Sequence, residues 1–111
     1  MESQQKHKTS KKDIEKQVIA VLKTIFDPEI PVDIYELGLI YEVKVNDAFD
    51  VEVIMTLTSP SCPVAESMPS EVEQKVGGIY QVRSAKVNLV WEPTWNQDMM
   101  SEVAKLELGF M

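Results

Sequence analysis

The sequence predicts an α+β domain: a small mixed three-stranded (or slightly larger) sheet with helices packed on it, in the order α-β-β-α-β-α. Three observations lead there. Apolar residues recur at helical spacing after Ser10. Two alternating runs flank the turn Asn46-Asp47-Ala48, which marks a hairpin. A third alternating run returns only after a second helical stripe, as a crossover connection requires.

In the first helix, Ile14, Val18, Val21, Leu22, Ile25 and Phe26 share one stripe, with Glu15, Lys16 and Lys23 between them. Ser10 with Asp13 resembles a capping box with a shortened acid. Asp27-Pro28 is the expected end, because the residue before proline avoids helical angles. Residues 27–38 read as irregular. Tyr41, Val43 and Val45 then alternate with Glu42 and Lys44, and Phe49, Val51, Val53, Met55 and Leu57 form the second strand's apolar face. Val64, Met68, Val72 and Val76 make the second helical stripe, stopped by Gly77-Gly78, with Pro69 predicting a kink or a separate first turn. Ala85, Val87, Leu89 and Trp91 alternate as the third strand. Glu92-Pro93-Thr94-Trp95 turns the chain into a last helix from about Gln97 to Leu108, with Thr94 and Gln97 matching a capping box.

A chain of 111 residues suits one domain that buries roughly two-thirds of its unfolded surface. Residues 1–11 read as a disordered basic tail and 12–111 as a single domain. The net charge of −7 divides unevenly: residues 1–12 carry four lysines against Glu2, or +3, which leaves −10 on the rest. So acidic a body is a poor match for a phosphate backbone, and no nucleic-acid partner is expected. No apolar run approaches the roughly 20 residues that cross a bilayer, and Met1 to Lys12 lacks the apolar core of a signal peptide. These features predict a cytoplasmic protein with no membrane partner, and a single cysteine allows no intrachain disulfide.

That cysteine, Cys62, stands between Pro60 and Pro63 where the second strand gives way to the second helix. A strand-to-helix turn aims the thiol at free backbone N–H groups and the positive end of the helix dipole, which favours a thiolate. The competing reading is a small, inert core residue. Papain-like catalysis needs a histidine base, and His7 is the only histidine and lies in the tail, so no enzyme is expected. Structural zinc and iron–sulfur clusters usually need several Cys or His ligands. A cluster or soft metal on Cys62 would therefore be shared with a second subunit, a partner or a small thiol, which points to transient handling and favours a homodimer. The loop Asp27 to Gly38 adds four carboxylates, Asp27, Glu29, Asp33 and Glu36, able to bind a hard cation or tune a nearby thiol, or simply to cap and solvate a rigid loop. Around Trp91-Glu92-Pro93-Thr94-Trp95 and Met99-Met100, Trp91 continues an apolar face, whereas Trp95 and Met99 are the candidates for partner docking.

Taken together, Asp27-Pro28-Glu29-Ile30-Pro31, Leu37-Gly38-Leu39-Ile40, Thr58 with Cys62-Pro63, and Trp91-Glu92-Pro93-Thr94-Trp95 with Met99-Met100-Ser101 resemble the SufT/PaaD-like family of iron–sulfur maturation domains, from about residue 12 onward. The resemblance implies the iron–sulfur cluster assembly domain fold. It also implies that Cys62 is the key ligand, supported by Asp27, Glu29 and Thr58, with no permanently bound cofactor and at most a transient cluster or iron. The implied partners are the assembly machinery and client apoproteins. PaaD-like members, which serve phenylacetyl-CoA oxygenase, typically carry an additional cysteine-rich C-terminal segment; its absence here favours the general SufT-like role. The alternative is an adaptor for client enzymes, including a PaaD-like one, in which Cys62 is structural. Pro69 departs from the unbroken helix that the family leads one to expect.

Overall fold

The computed structural model describes residues 9–26, 31–58 and 67–109. The elements are α1 (Lys11–Leu22), β1 (Ile40–Val45), β2 (Asp50–Met55), α2 (Ser67–Gly77), β3 (Ser84–Leu89), a 3₁₀ turn (Gln97–Met99) and α3 (Glu102–Glu107). β2 is the central strand of a three-stranded sheet, antiparallel to β1 and parallel to β3. This is the α+β class and the element order expected from the sequence.

Ser10 caps α1 by accepting the Asp13 N–H at 3.2 Å, while Asp13 Oδ2 accepts the Ser10 N–H at 3.0 Å. The shorter acid thus closes the capping box. Ser10 and Lys11, assigned to the tail above, belong to this cap and first turn. Ile14, Val18 and Leu22 form the buried stripe. The helix stops at Leu22, five residues before the expected Asp27-Pro28 stop. Thr24 accounts for the early end: its N–H and hydroxyl both donate to the Val21 carbonyl, at 2.9 and 2.6 Å. Ile25 is buried after the turn, whereas Phe26, expected on the buried stripe, is 54 % exposed and forms an isolated antiparallel bridge with Asp33.

In the sheet, Val51, Val53 and Met55 of β2 are buried under the helices, with α1 over β1, α2 over β3 and the two helices in contact. Their alternates lie on the other face, where Lys44, Glu52 and Lys86 stand directly opposite one another across the three strands. Opposite charges paired in this way favour the observed register. Strand β1 departs from simple alternation. The register shifts between Ile40 and Glu42, so Tyr41 is the extra residue of a bulge and Ile40 takes the core-facing place expected of Tyr41. The hairpin is closed by an Asn46 N–H bond to Asp50 at 3.1 Å, with Phe49 at φ 65°. Phe49 therefore belongs to the turn, although it still packs against the core. Asp50 ties the turn to β3: both its oxygens accept from Arg83, at 2.9 and 2.6 Å, and Ser84 Oγ donates at 2.7 Å.

Met68, Val72 and Val76 are the buried stripe of α2; Val64 lies outside the described residues. Pro69 falls in the first described turn, and the helix continues from it to Gly77. The Gly78 N–H closes the end on Gln74 and Lys75. Glu73 reaches from α2 to accept the Val87 N–H of the edge strand at 2.9 Å.

The stretch read as irregular contains a complete capped turn over residues 33–38. Asp33 Oδ2 accepts the N–H groups of Tyr35 and Glu36, at 3.1 and 3.0 Å. At the other end Leu39 N–H bonds to Ile34 and Gly38 N–H to Tyr35, with Gly38 at φ 84°, which is the Schellman arrangement. Its usual hydrophobic contact fits too, since Ile34 and Leu39 are both fully buried. The last helix is also divided. Asn96 caps the 3₁₀ turn and Ser101 caps α3, so the expected Thr94–Gln97 cap is replaced by two others.

Two outcomes follow from this packing. A Cβ at Gly38 would run into the Met99 carbonyl, whereas Gly109, at a similar φ of 79°, has open space around it. Gly38→Ala is expected to cost at least about 3 kcal/mol and Gly109→Ala, through its φ alone, about 1–2 kcal/mol, read by urea unfolding. The Arg83 guanidinium and the Ser84 and Asn46 side chains hold the Asp50 carboxyl well below the usual carboxylate range. A folded-state pKa below the unfolded one stabilises the protein above the unfolded value and loses that contribution as pH falls through the folded one. Asp50→Asn should therefore lower the urea midpoint at neutral pH, and the deficit should shrink in strong acid. An equal deficit at both pH values would show that Asp50 acts through packing rather than charge.

Candidate functional site

The frame of the site is the exit of β2. Ligands of open sheets with parallel strands gather beyond the carboxyl ends of those strands, where the chain turns into a helix. Here the central strand ends at Met55, Thr56 to Thr58 follow it, and α2 is described from Ser67. Cys62, with the rest of residues 59–66, lies outside the described residues, as do Asp27 and Glu29. Their described flanks are nevertheless joined. The Thr56 N–H bonds to Leu39 at 2.9 Å, Leu39 to Ile34 at 3.2 Å and Ile34 to Ile25 at 2.8 Å. The Phe26–Asp33 bridge then fixes both sides of the segment that carries Asp27 and Glu29. The backbone thus hangs the flanks of the two sequence motifs from one hydrogen-bonded series. Thr58 is half-buried at the end of β2.

Of the four carboxylates in the Asp27–Gly38 loop, the two described ones have structural duties. Asp33 caps its turn, and Glu36 pairs with Lys23 at 3.5 Å. Among the described residues, no three His, Cys, Asp or Glu side chains converge as a metal site.

A residue that sequence reasoning missed is Thr56, a polar side chain buried in the core at 1 % exposure. Its Oγ1 has a long 3.5 Å contact to the Leu57 carbonyl and also interacts with Tyr41. Burial raises the Tyr41 phenol above its ordinary pKa and the nearby Glu92 charge adds to this, while the Thr56 hydroxyl acts against it. Tyr41 OH donates to the Pro93 carbonyl at 2.6 Å, with Met99 Sδ at 3.6 Å. The bulge that turns Tyr41 away from the helices is what lets it reach this C-terminal segment. A single register irregularity leaves no mark in an alternating pattern, so periodicity alone does not reveal it.

The two tryptophans exchange their expected places. Trp91 lies past the last ladder pair, Met55 with Leu89, and is 39 % exposed. Trp95 is half-buried against the core, and its Nε1–H donates to the Leu37 carbonyl at 2.8 Å. That carbonyl ends the capped turn and needs a partner. Met99, half-buried, lies with its backbone against Gly38.

The fold is shared with known proteins. Residues 15–89 match the model of the family described as iron-sulfur cluster assembly protein, and the chain belongs to that family. This agrees with the resemblance read from its motifs. It is 50 % identical over 97 residues to an Fe-S protein maturation auxiliary factor of Porphyromonas gingivalis, covering 87 % of this chain and 92 % of that one. It is 42 % identical over 85 residues to the Fe-S protein maturation auxiliary factor SufT of Staphylococcus aureus, covering 77 % and 97 %. Among solved structures, a domain of unknown function from Bacillus anthracis superposes with a TM-score of 0.84 at 35 % identity, covering 91 % of this chain and 96 % of that one.

The exchange of tryptophans has a spectroscopic signature. Trp91→Phe, which leaves Trp95, should emit at shorter wavelength than Trp95→Phe, which leaves Trp91. Trp95→Phe should also cost about 1 kcal/mol through the lost hydrogen bond to Leu37, with little change for Trp91→Phe.

Proposed function

We propose that this protein is a non-enzymatic accessory factor of the cytoplasm that helps iron–sulfur proteins mature, acting by transient thiolate ligation and by partner binding. Membership of the iron–sulfur cluster assembly family is the observation that carries the reading. The maturation-factor names of relatives at 42 and 50 % identity support it. Cys62 supplies one thiolate, and a second subunit or a client apoprotein supplies the others, so the cluster or iron passes through as cargo. Asp27, Glu29 and Thr58 are assigned supporting roles around the thiol: Thr58 as a hydrogen-bond donor to sulfur, the carboxylates as modulators of its charge. The joined flanks of the two motifs support that grouping. Trp95 and Met99, both half-buried, are assigned to partner binding. Among the described residues, no helix is long and apolar enough to cross a membrane.

Anaerobic reconstitution with iron and sulfide, followed by visible absorption and Mössbauer spectroscopy, tests this reading. Wild type should acquire a cluster on a dimer and Cys62→Ser should not. No cluster under conditions that load a known scaffold would replace thiolate ligation with the adaptor reading, in which Cys62 is structural.

A further inference from the structure

Three large apolar side chains at one end of the fold remain in water. Phe26 is 54 % exposed, Val103 60 % and Leu106 67 %. Phe26 and Val103 line the same groove, about 260 Å³ in volume, together with Pro31 and the acids Asp33, Glu36 and Glu107. Leu106 stands three residues after Val103 on α3, and residues at that spacing are surface neighbours on a helix. Among the described residues, no cation lines the groove. Lys23 is the one described cation paired with a lining acid, Glu36, at 3.5 Å, and Glu107 has no ion-pair partner among the described residues. The arrangement is an apolar floor with a carboxylate rim, on a chain whose net charge is −7.

We infer that this groove is a docking site for a short amphipathic segment of a partner protein, one that presents apolar side chains flanked by lysine or arginine. Apolar area supplies the contact, and the acidic rim, on which Glu36 is paired with Lys23, selects for a cationic segment and against an acidic one. The inference gives the partner binding of the proposed accessory role a location, and rests on that reading only for the partner being a protein of that pathway. It does not involve the cysteine. A second copy of this chain is a poorer occupant, because the same carboxylates would meet each other across the contact.

Amide NMR of the full ¹⁵N-labelled chain provides the test. The probes are a synthetic amphipathic peptide of about 14 residues, with leucines at helical spacing flanked by lysines, and an isomer with every lysine replaced by glutamate. The cationic peptide should shift the amides of Phe26, Val103, Leu106 and Glu107 saturably and more weakly at higher salt, and the acidic isomer should not. Glu107→Lys and Val103→Asp should each weaken binding about tenfold, with the remaining spectrum unchanged as proof of fold, and Val103→Ser gives a milder check of the same contact. Tyr80→Ala, in the separate groove between α1 and α2, should leave binding unchanged. Equal binding of both peptides, shifts centred elsewhere, indifference to Glu107→Lys, or concentration-dependent shifts at Val103 and Leu106 without peptide would each overturn the inference. Lost peptide binding with intact cluster loading would remove the docking site alone. Lost loading with intact peptide binding would remove the thiolate mechanism alone.

Discussion

The architecture depends on the crossing of two backbone segments at Gly38 and Met99. The turn over residues 33–38 has its early N–H groups satisfied by Asp33. Its last carbonyls point outward and find partners in the C-terminal segment: Glu36 accepts the Ser101 N–H at 2.8 Å, and Leu37 accepts Trp95 Nε1–H at 2.8 Å. Only a residue without a Cβ lets the Met99 backbone come close enough for both bonds, and Gly38 meets the positive φ as well. Once the two segments cross there, Tyr41 can reach Pro93, the Thr56 side chain is buried, and α3 is set beside Phe26. One steric allowance thus fixes the end of the sheet and the outer groove together.

The sheet and helices give this crossing something to press against. The apolar residues of β2 lie under α1 and α2, while the opposite face carries the charged ladder and the Asp50–Arg83 lock. The parallel pairing of β2 with β3 requires the chain to leave the sheet and return, and in sequence Cys62 falls between these two strands.

What the residues reveal by inspection is uneven, and the reasons are physical. Helical and alternating spacing place Ile14, Val18, Val51, Val53, Val72 and Val76 correctly, because burial on one face imposes a period on the chain. Spacing fails where a local bond outranks it. The hydroxyl of Thr24 closes α1 before proline can, and Ser101 starts a new cap inside what reads as one helix. The capped turn at 33–38 was legible in principle, since Asp33 and Glu36 stand at capping-box spacing before Leu37-Gly38. Its signal was hidden among carboxylates that also suggest cation binding. The places of Trp91 and Trp95 were not legible, because they follow from a free carbonyl that exists only once the turn has formed. Of the candidate site, Thr58 and the joined flanks of the two motifs are described, while Cys62, Asp27 and Glu29 lie outside the described residues.

The bond from Glu73 to the Val87 N–H bears on the company this protein keeps. β3 borders the sheet, and an unclaimed border N–H is an invitation to any extended polypeptide nearby. Extended segments of other chains, or of a second copy of this one, are what such a border would otherwise recruit. A carboxylate already seated on the central amide of β3 obliges an intruding strand to evict a charged ligand and leave it without that donor. On the opposite border, the bulge at Tyr41 and the charges of Glu42 and Lys44 spoil the straight, neutral template that strand addition needs. Both borders of the sheet thereby resist edge-to-edge pairing.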